Sequence, residues 1–231
     1  MIEVNVTVTR FDPARDTAPY PQSFAMLVRE NQTILDLLLD LAADHDPTLA
    51  FRRACRSGIC GSCAVTINGM AKLACETLVS DVLDGRDIAI GPLPHFRVLK
   101  DLVVDIDPFL DSLRNVTPWL VLKPSHHGLM SQTEVRRLEK SGECILCGIC
   151  QGNTVAPETD PRAEPNPAAM VKAFRLGFDP RDDLGLERAK LARDLGLLDI
   201  HPGPNGTLAC PKQIDFAGQI LPELKDALGK G

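Results

Sequence analysis

Chemistry in this chain is concentrated in eight cysteines, and they fall into two groups. Cys55, Cys60 and Cys63, in RRACRSGICGSC, stand at C-x4-C-x2-C, and Cys75 follows beyond two short apolar segments. That is the plant-type spacing for a [2Fe–2S] cluster. One tight loop must wrap three thiolates around two irons. Gly58 and Gly61 let such a loop turn closely and aim its N–H groups inward. Four thiolates on a two-iron core leave net negative charge, which Arg52, Arg53 and Arg56 can offset; the bland alternative for those arginines is a solvated surface. The alternative for the cysteines is a structural zinc site. Zinc favours paired C-x2-C knuckles, which this spacing lacks.

Cys144, Cys147 and Cys150, in CILCGIC, stand at C-x2-C-x2-C, as in bacterial [4Fe–4S] sites. A fourth cysteine followed by proline is expected four residues later, where the chain has Thr154-Val155. In two-cluster ferredoxins that fourth cysteine serves the other cluster. Its absence therefore leaves the first cluster intact, provided a distant Cys-Pro supplies the last ligand. Cys210-Pro211, in LACPKQID, is such a pair, and proline there stiffens the backbone and removes a donor. Cys144, Cys147, Cys150 and Cys210 then make a complete [4Fe–4S] set. A four-cysteine zinc site closed by a long loop is the alternative.

The rest of the composition narrows the function. At 231 residues the chain suits two modest domains or one large one. A net charge of -6 argues against nucleic acid as the main partner. No apolar run approaches the length of a membrane span. The start, MIEVNVTVTR, reads as a strand and not as a secretory signal. Clustered cysteines without such a signal argue against a disulfide framework and for a reducing compartment: the cytoplasm, or the cytoplasmic or matrix face of a membrane. No nucleophile, phosphate loop or paired acid/base motif is present. The chemistry belongs to the clusters, and the protein positions and tunes them.

The elements that must do this positioning are legible in outline. Ile2, Val4, Val6 and Val8 alternate with polar neighbours, which predicts a half-buried strand. A second strand is expected over Ser23–Val28. Ile34, Leu37, Leu38 and Leu41 have helical spacing, with Thr33 as N-cap. Asn68-Gly69 between AVTI and MAKLA predicts a two-residue hairpin. DIAIGPLP (87–94) gives a last strand with a Pro-bounded exit. Several strands around one helix make a small α+β domain. From about residue 107 the pattern is helical. Asp107-Pro108 opens a short helix. Ser131 and Glu134 have capping-box spacing. Asn166-Pro167 caps another helix, Asp182–Leu195 supplies one more, and Phe216–Leu228 closes the chain. Residues 151–167, rich in Pro and poor in apolar side chains, read as a loop.

These motifs, in this order, resemble the iron–sulfur (B) subunit of the succinate dehydrogenase/fumarate reductase family over almost the whole chain. The likeness rests on LAFRRACRSGICGSCAVTINGMAKLACET (49–77), DIDPFLDSLRNVTPWL (105–120), GECILCGIC (142–150) and ACPKQI (209–214). The resemblance implies a β-grasp [2Fe–2S] ferredoxin-like domain over residues 1–104. It implies an all-α helical ferredoxin domain with one [4Fe–4S] cluster over residues 105–231. It also implies a flavoprotein (A-type) partner that carries FAD and acts on a dicarboxylate. Electrons would be relayed, in either direction, between that flavoprotein and a further partner through both clusters, the partner being a membrane anchor or a soluble electron acceptor or donor. The rivals are a soluble adaptor for an unrelated flavin reductase or hydrogenase-type complex and a zinc-stabilised structural module. The family's third cluster, [3Fe–4S], would take its ligands at Thr154, Ile200 and Gly206. None is cysteine, so a chain built for two clusters is expected. The segment VAPETDPRAEPNP lacks the aromatic residues that the family carries near its quinone site. His201 matches a family histidine beside the third cluster, and the acidic stretch 158–164 is a candidate docking surface or a solvated loop.

Overall fold

Strand β1 (Ile2–Arg10) shows the alternation expected of it: Val4, Val6 and Val8 are buried while their neighbours face outward. The structure is a computed structural model and describes residues 1–125, 128–155, 166–199, 201–202 and 209–229, with the backbone alone at 155, 201 and 202. Strand β2 (Tyr20–Val28) pairs antiparallel with β1 along its whole length, from Ile2 opposite Val28 to Arg10 opposite Tyr20. It starts three residues earlier than the apolar pattern suggests, because backbone pairing with β1 extends it through exposed positions.

Helix α1 (Ile34–Asp44) follows. Thr33 accepts from the Asp36 N–H while the Asp36 side chain accepts from the Thr33 N–H, closing a capping box. Its buried stripe, Ile34, Leu37, Leu38 and Leu41, is the one set by helical periodicity. Strands β3 (Ala64–Ile67) and β4 (Met70–Leu73) form the hairpin, with Asn68 and Gly69 at φ 47° and 80°. Positive φ at both central residues is what a type I′ turn demands. Strand β5 (Asp87–Gly91) lies parallel to β1 and antiparallel to β3, giving a mixed sheet in the order β2-β1-β5-β3-β4. The strand ends at Gly91 because Pro92 and Pro94 cannot donate to a ladder. A small ribbon of β6 (Val98–Lys100) and β7 (Val103–Val104) completes this part, which the sequence pattern did not suggest.

Residues Met1–Asp105 form one compact unit together with Ile145–Gly152, the segment that carries Cys147 and Cys150. The second unit comprises Ile106–Cys144 and Asn153–Gly231. Its helices are α2 (Asp107–Arg114), α3 (Gln132–Gly142), α4 (Pro167–Gly177), α5 (Glu187–Asp194) and α6 (Leu221–Gly229). Ser131 and Glu134 close the capping box that their spacing suggests. Asn166 caps α4 through its Oδ1 and donates its Nδ2 to the Phe109 carbonyl at 2.9 Å, tying α4 to α2.

Two helices differ from expectation. The segment from Asp182 begins its helix only at Glu187, because the Asp182 carboxylate accepts from Val121 N, Gly185 N and Arg188. Gly185, at φ 49°, marks the break. The last helix opens with a π-turn, Phe216–Ile220, in which Gly218 N donates to the Asp215 carboxylate at 2.7 Å. Two short strands, β8 (Thr154–Val155) and β9 (His201–Pro202), pair antiparallel within this unit. The acidic stretch 158–164, Ile200 and Gly206 lie outside the described residues.

Candidate iron–sulfur sites

The first site is built on the loop between α1 and β3. Asp101, itself buried, holds the approach to it: its carboxylate accepts from Ala50 N at 2.8 Å, from Phe11 N at 3.0 Å and from Arg10 Nε at 3.0 Å. The chain is thereby pinned to the sheet five residues before Cys55. Beyond that anchor the loop needs left-handed turns, taken by Arg56, Gly58 and Gly61 at φ 57°, 63° and 70°. Glycine adopts that region without steric cost.

These turns aim backbone donors at sulfur. Ser57 N and Ile59 N each lie 3.4 Å from Cys55 Sγ, and Cys60 N lies 3.3 Å from it. Gly58 N lies 3.4 Å from Cys75 Sγ, which joins the hairpin cysteine to the loop. The Cys63 carbonyl accepts from Ala74 N at 3.0 Å, so both ends of the hairpin meet at the site. Cys55 and Cys60 are exposed, Cys75 is half-buried and Cys63 is buried.

Electrostatics prepares the thiols unequally. The Ser62 hydroxyl, 3.1 Å from Cys60 Sγ, together with the nearby backbone donors pulls the Cys60 thiol down to about 6. Burial pushes Cys63 up to about 12. A group of thiolates wrapped in N–H donors fits a [2Fe–2S] cluster, whose charge those donors stabilise and whose potential they tune. Arg53 and Arg56 are exposed beside it and Arg52 is half-buried; Arg53 stacks 5.5 Å from the Phe51 ring.

The remaining cysteines, Cys144, Cys147, Cys150 and Cys210, are all half-buried. Cys147 and Cys150 belong to the first unit, and Cys144 and Cys210 to the second. The 145–152 segment turns through Leu146 at φ 55° and Gly148 at φ 77° before a single helical turn, Ile149–Gly152. It seats on Leu93–Phe96: a Cβ at Gly148 would stand 2.9 Å from Phe96 Cζ, and one at Gly152 would stand 3.2 Å from Pro94 Cδ. Gln151 is buried; its Nε2 donates to the His95 carbonyl at 3.3 Å, while its Oε1 meets no donor among the described residues. Cys210 opens a turn in which Gln213 N donates back to the Cys210 carbonyl at 2.9 Å. Thr154 is buried in β8, its backbone opposite Pro202.

Several contributors escape a reading of spacing alone. Ser62 sits between two ligands, and its hydroxyl was there to be noticed. Glu76 lies against Gly58, where a Cβ would come within 1.9 Å of its carboxylate. Phe96 and Asp101 carry no sequence signal, since each acts through a contact made only on folding.

Residues 5–111 match the domain family described as a 2Fe-2S iron-sulfur cluster binding domain. The chain is 35% identical to the mitochondrial succinate dehydrogenase [ubiquinone] iron-sulfur subunit of Dictyostelium discoideum, covering 96% of this chain and 81% of that one. It is 37% identical to the mitochondrial succinate dehydrogenase [ubiquinone] iron-sulfur subunit 1 of Oryza sativa, covering 93% and 78% respectively. Its structure is similar to a chain of the Mycobacterium smegmatis Sdh1 complex in the apo form. There the TM-score is 0.88 at 26% identity, over 99% of this chain and 96% of that one.

Proposed function

This chain belongs to the family of succinate dehydrogenase iron–sulfur subunits and is an electron-transfer subunit of a succinate dehydrogenase-like oxidoreductase; on that footing we propose the route its electrons take. Cys55, Cys60, Cys63 and Cys75 hold [2Fe–2S] within a β-grasp domain. Cys144, Cys147, Cys150 and Cys210 hold [4Fe–4S] in a helical ferredoxin domain. The set of N–H groups aimed at Cys55 and Cys75 is the observation that carries the reading. Such donors favour the extra negative charge of a reduced cluster, which is the property an electron carrier needs.

An FAD-bearing flavoprotein exchanges electrons with the exposed face of the first loop, where Cys55 and Cys60 lie beside Arg53 and Arg56. The chain passes them one at a time to the second set of cysteines. Threonine, isoleucine and glycine at 154, 200 and 206 offer no thiolate, so the relay ends at [4Fe–4S] and no [3Fe–4S] cluster forms. A membrane anchor or a soluble protein takes the electron from there. None of the described helices is long and apolar enough to cross a membrane.

Iron and acid-labile sulfide analysis of the purified protein tests this. About six iron atoms per chain are expected for the two clusters. About nine would mean a third cluster on non-cysteine ligands, and zinc without sulfide would end the redox reading. Cys210→Ser should abolish the [4Fe–4S] signal and spare [2Fe–2S].

A further inference from the structure

Gly61 stands between two ligands of the first site, and what occupies its side-chain space belongs to the second. A Cβ at Gly61 would lie 2.7 Å from Cys147 Cβ, 2.8 Å from Cys147 Cα and 3.3 Å from Cys147 N. Two of those atoms are backbone and cannot swing away, and the interior around them is packed like a solid. We propose that Gly61 is a positioning residue for electron transfer: its missing side chain lets Cys147 rest directly on the [2Fe–2S] loop and sets the contact between the two clusters. The inference rests on Cys147 being a [4Fe–4S] ligand.

Cys147 has little freedom to retreat. Behind it, Gly148 packs on Phe96 and Leu93, and Gly152 packs on Pro94. The segment is clamped between the first cluster's loop and Leu93–Phe96. A methyl group at position 61 must therefore displace Cys147 or its own loop. Gly61 is buried and sits at φ 70°, so two independent requirements demand glycine there. Across this contact the chain passes one electron: one cluster is oxidised as the other is reduced, and no bond or proton is exchanged. The rate of such a step falls steeply with separation, so the atom missing at Gly61 bears directly on it.

The test uses the full chain in its native complex, reduced with dithionite. Power saturation of the [2Fe–2S] electron paramagnetic resonance signal reports how fast a reduced neighbouring cluster relaxes it. The unsubstituted protein should show this enhancement. Gly69→Ala provides the control, since Gly69 has φ 80° and nothing within 4 Å of a Cβ. It carries the same left-handed strain without the contact and should keep the enhancement. Gly61→Ala should lose most of it, or shed [4Fe–4S] while retaining [2Fe–2S]. The inference is overturned if Gly61→Ala keeps both clusters with full enhancement, or if Gly69→Ala loses it equally. Should Gly61→Ala fail to fold, the unsubstituted protein decides: enhancement supports the contact and its absence overturns it. A protein with no [4Fe–4S] signal at all instead defeats the ligand assignment itself.

Discussion

Arg10 Nε donates to Asp101 Oδ1 at 3.0 Å, joining the end of β1 to a position 91 residues later. Both side chains are buried, 7% and 2% exposed, so little solvent screens the pair. The same carboxylate holds Ala50 N and Phe11 N. Asp101→Ala therefore leaves Arg10 Nε and two backbone N–H groups without this acceptor, while the Arg10 charge stays paired with Asp46. Leaving a buried donor unsatisfied costs about 1–3 kcal/mol. Denaturant unfolding should show a loss of that order, with Asp101→Asn milder because it keeps one acceptor oxygen. The [2Fe–2S] signal should weaken alongside, since Ala50 leads into the ligand loop.

Ser62→Ala removes the hydroxyl 3.1 Å from Cys60 Sγ. A donor to a ligand sulfur stabilises the reduced, more negative cluster over the oxidised one. A single hydrogen bond contributes about 1 kcal/mol. The [2Fe–2S] reduction potential should fall, and potentiometric titration would read the shift. An unchanged or raised potential would contradict the role given to this bond.

Acid should destabilise the fold through three carboxylates. Hydrogen bonds from Thr48 and Arg10 outweigh burial and hold Asp46 down at about 2. Burial pushes Asp179 and Asp182 up, but bonds from Arg181 and Arg175 to the first, and from Arg188, Val121 N and Gly185 N to the second, leave both below the usual range. A depressed folded-state pKa stabilises the protein above the unfolded value of 3.8. That contribution is lost as pH falls through the folded-state values. The midpoint of denaturant unfolding should hold near neutrality and drop steeply below about pH 4. Asp46→Asn should flatten the part of that drop that Asp46 supplies.

Asn166→Ala removes both the α4 cap and the bond to the Phe109 carbonyl. Loss of a cap costs about 0.5–2 kcal/mol and a hydrogen bond about another 1 kcal/mol. Asn166→Asp keeps the cap but sets a carboxylate beside that carbonyl, so it should lie between wild type and Asn166→Ala at neutral pH. Thermal or denaturant unfolding ranks the three.

Local chemistry is legible in the amino-acid order. A hairpin turn needs two residues at positive φ, and Asn68-Gly69 announces it. A capping box needs an acceptor and a carboxylate three positions apart, and Ser131 and Glu134 announce one; Thr33, legible as an N-cap, closes a second with Asp36. Structure decided by a distant partner is not legible this way. The helix foreseen from Asp182 starts at Glu187 because Val121, far back in the chain, recruits the Asp182 carboxylate.

By itself, then, the amino-acid order determined which thiols are present, how they are grouped, and which short turns carry them, since ligand spacing and glycine placement are properties of neighbouring residues. Only the tertiary structure decided what those turns rest on: Asp101 under Ala50, Phe96 beneath Gly148, and Cys147 in the empty space of Gly61. Close packing brings together atoms that periodicity cannot relate, and at Gly61 the deciding feature is the absence of an atom, which acquires meaning only when another loop arrives to fill it.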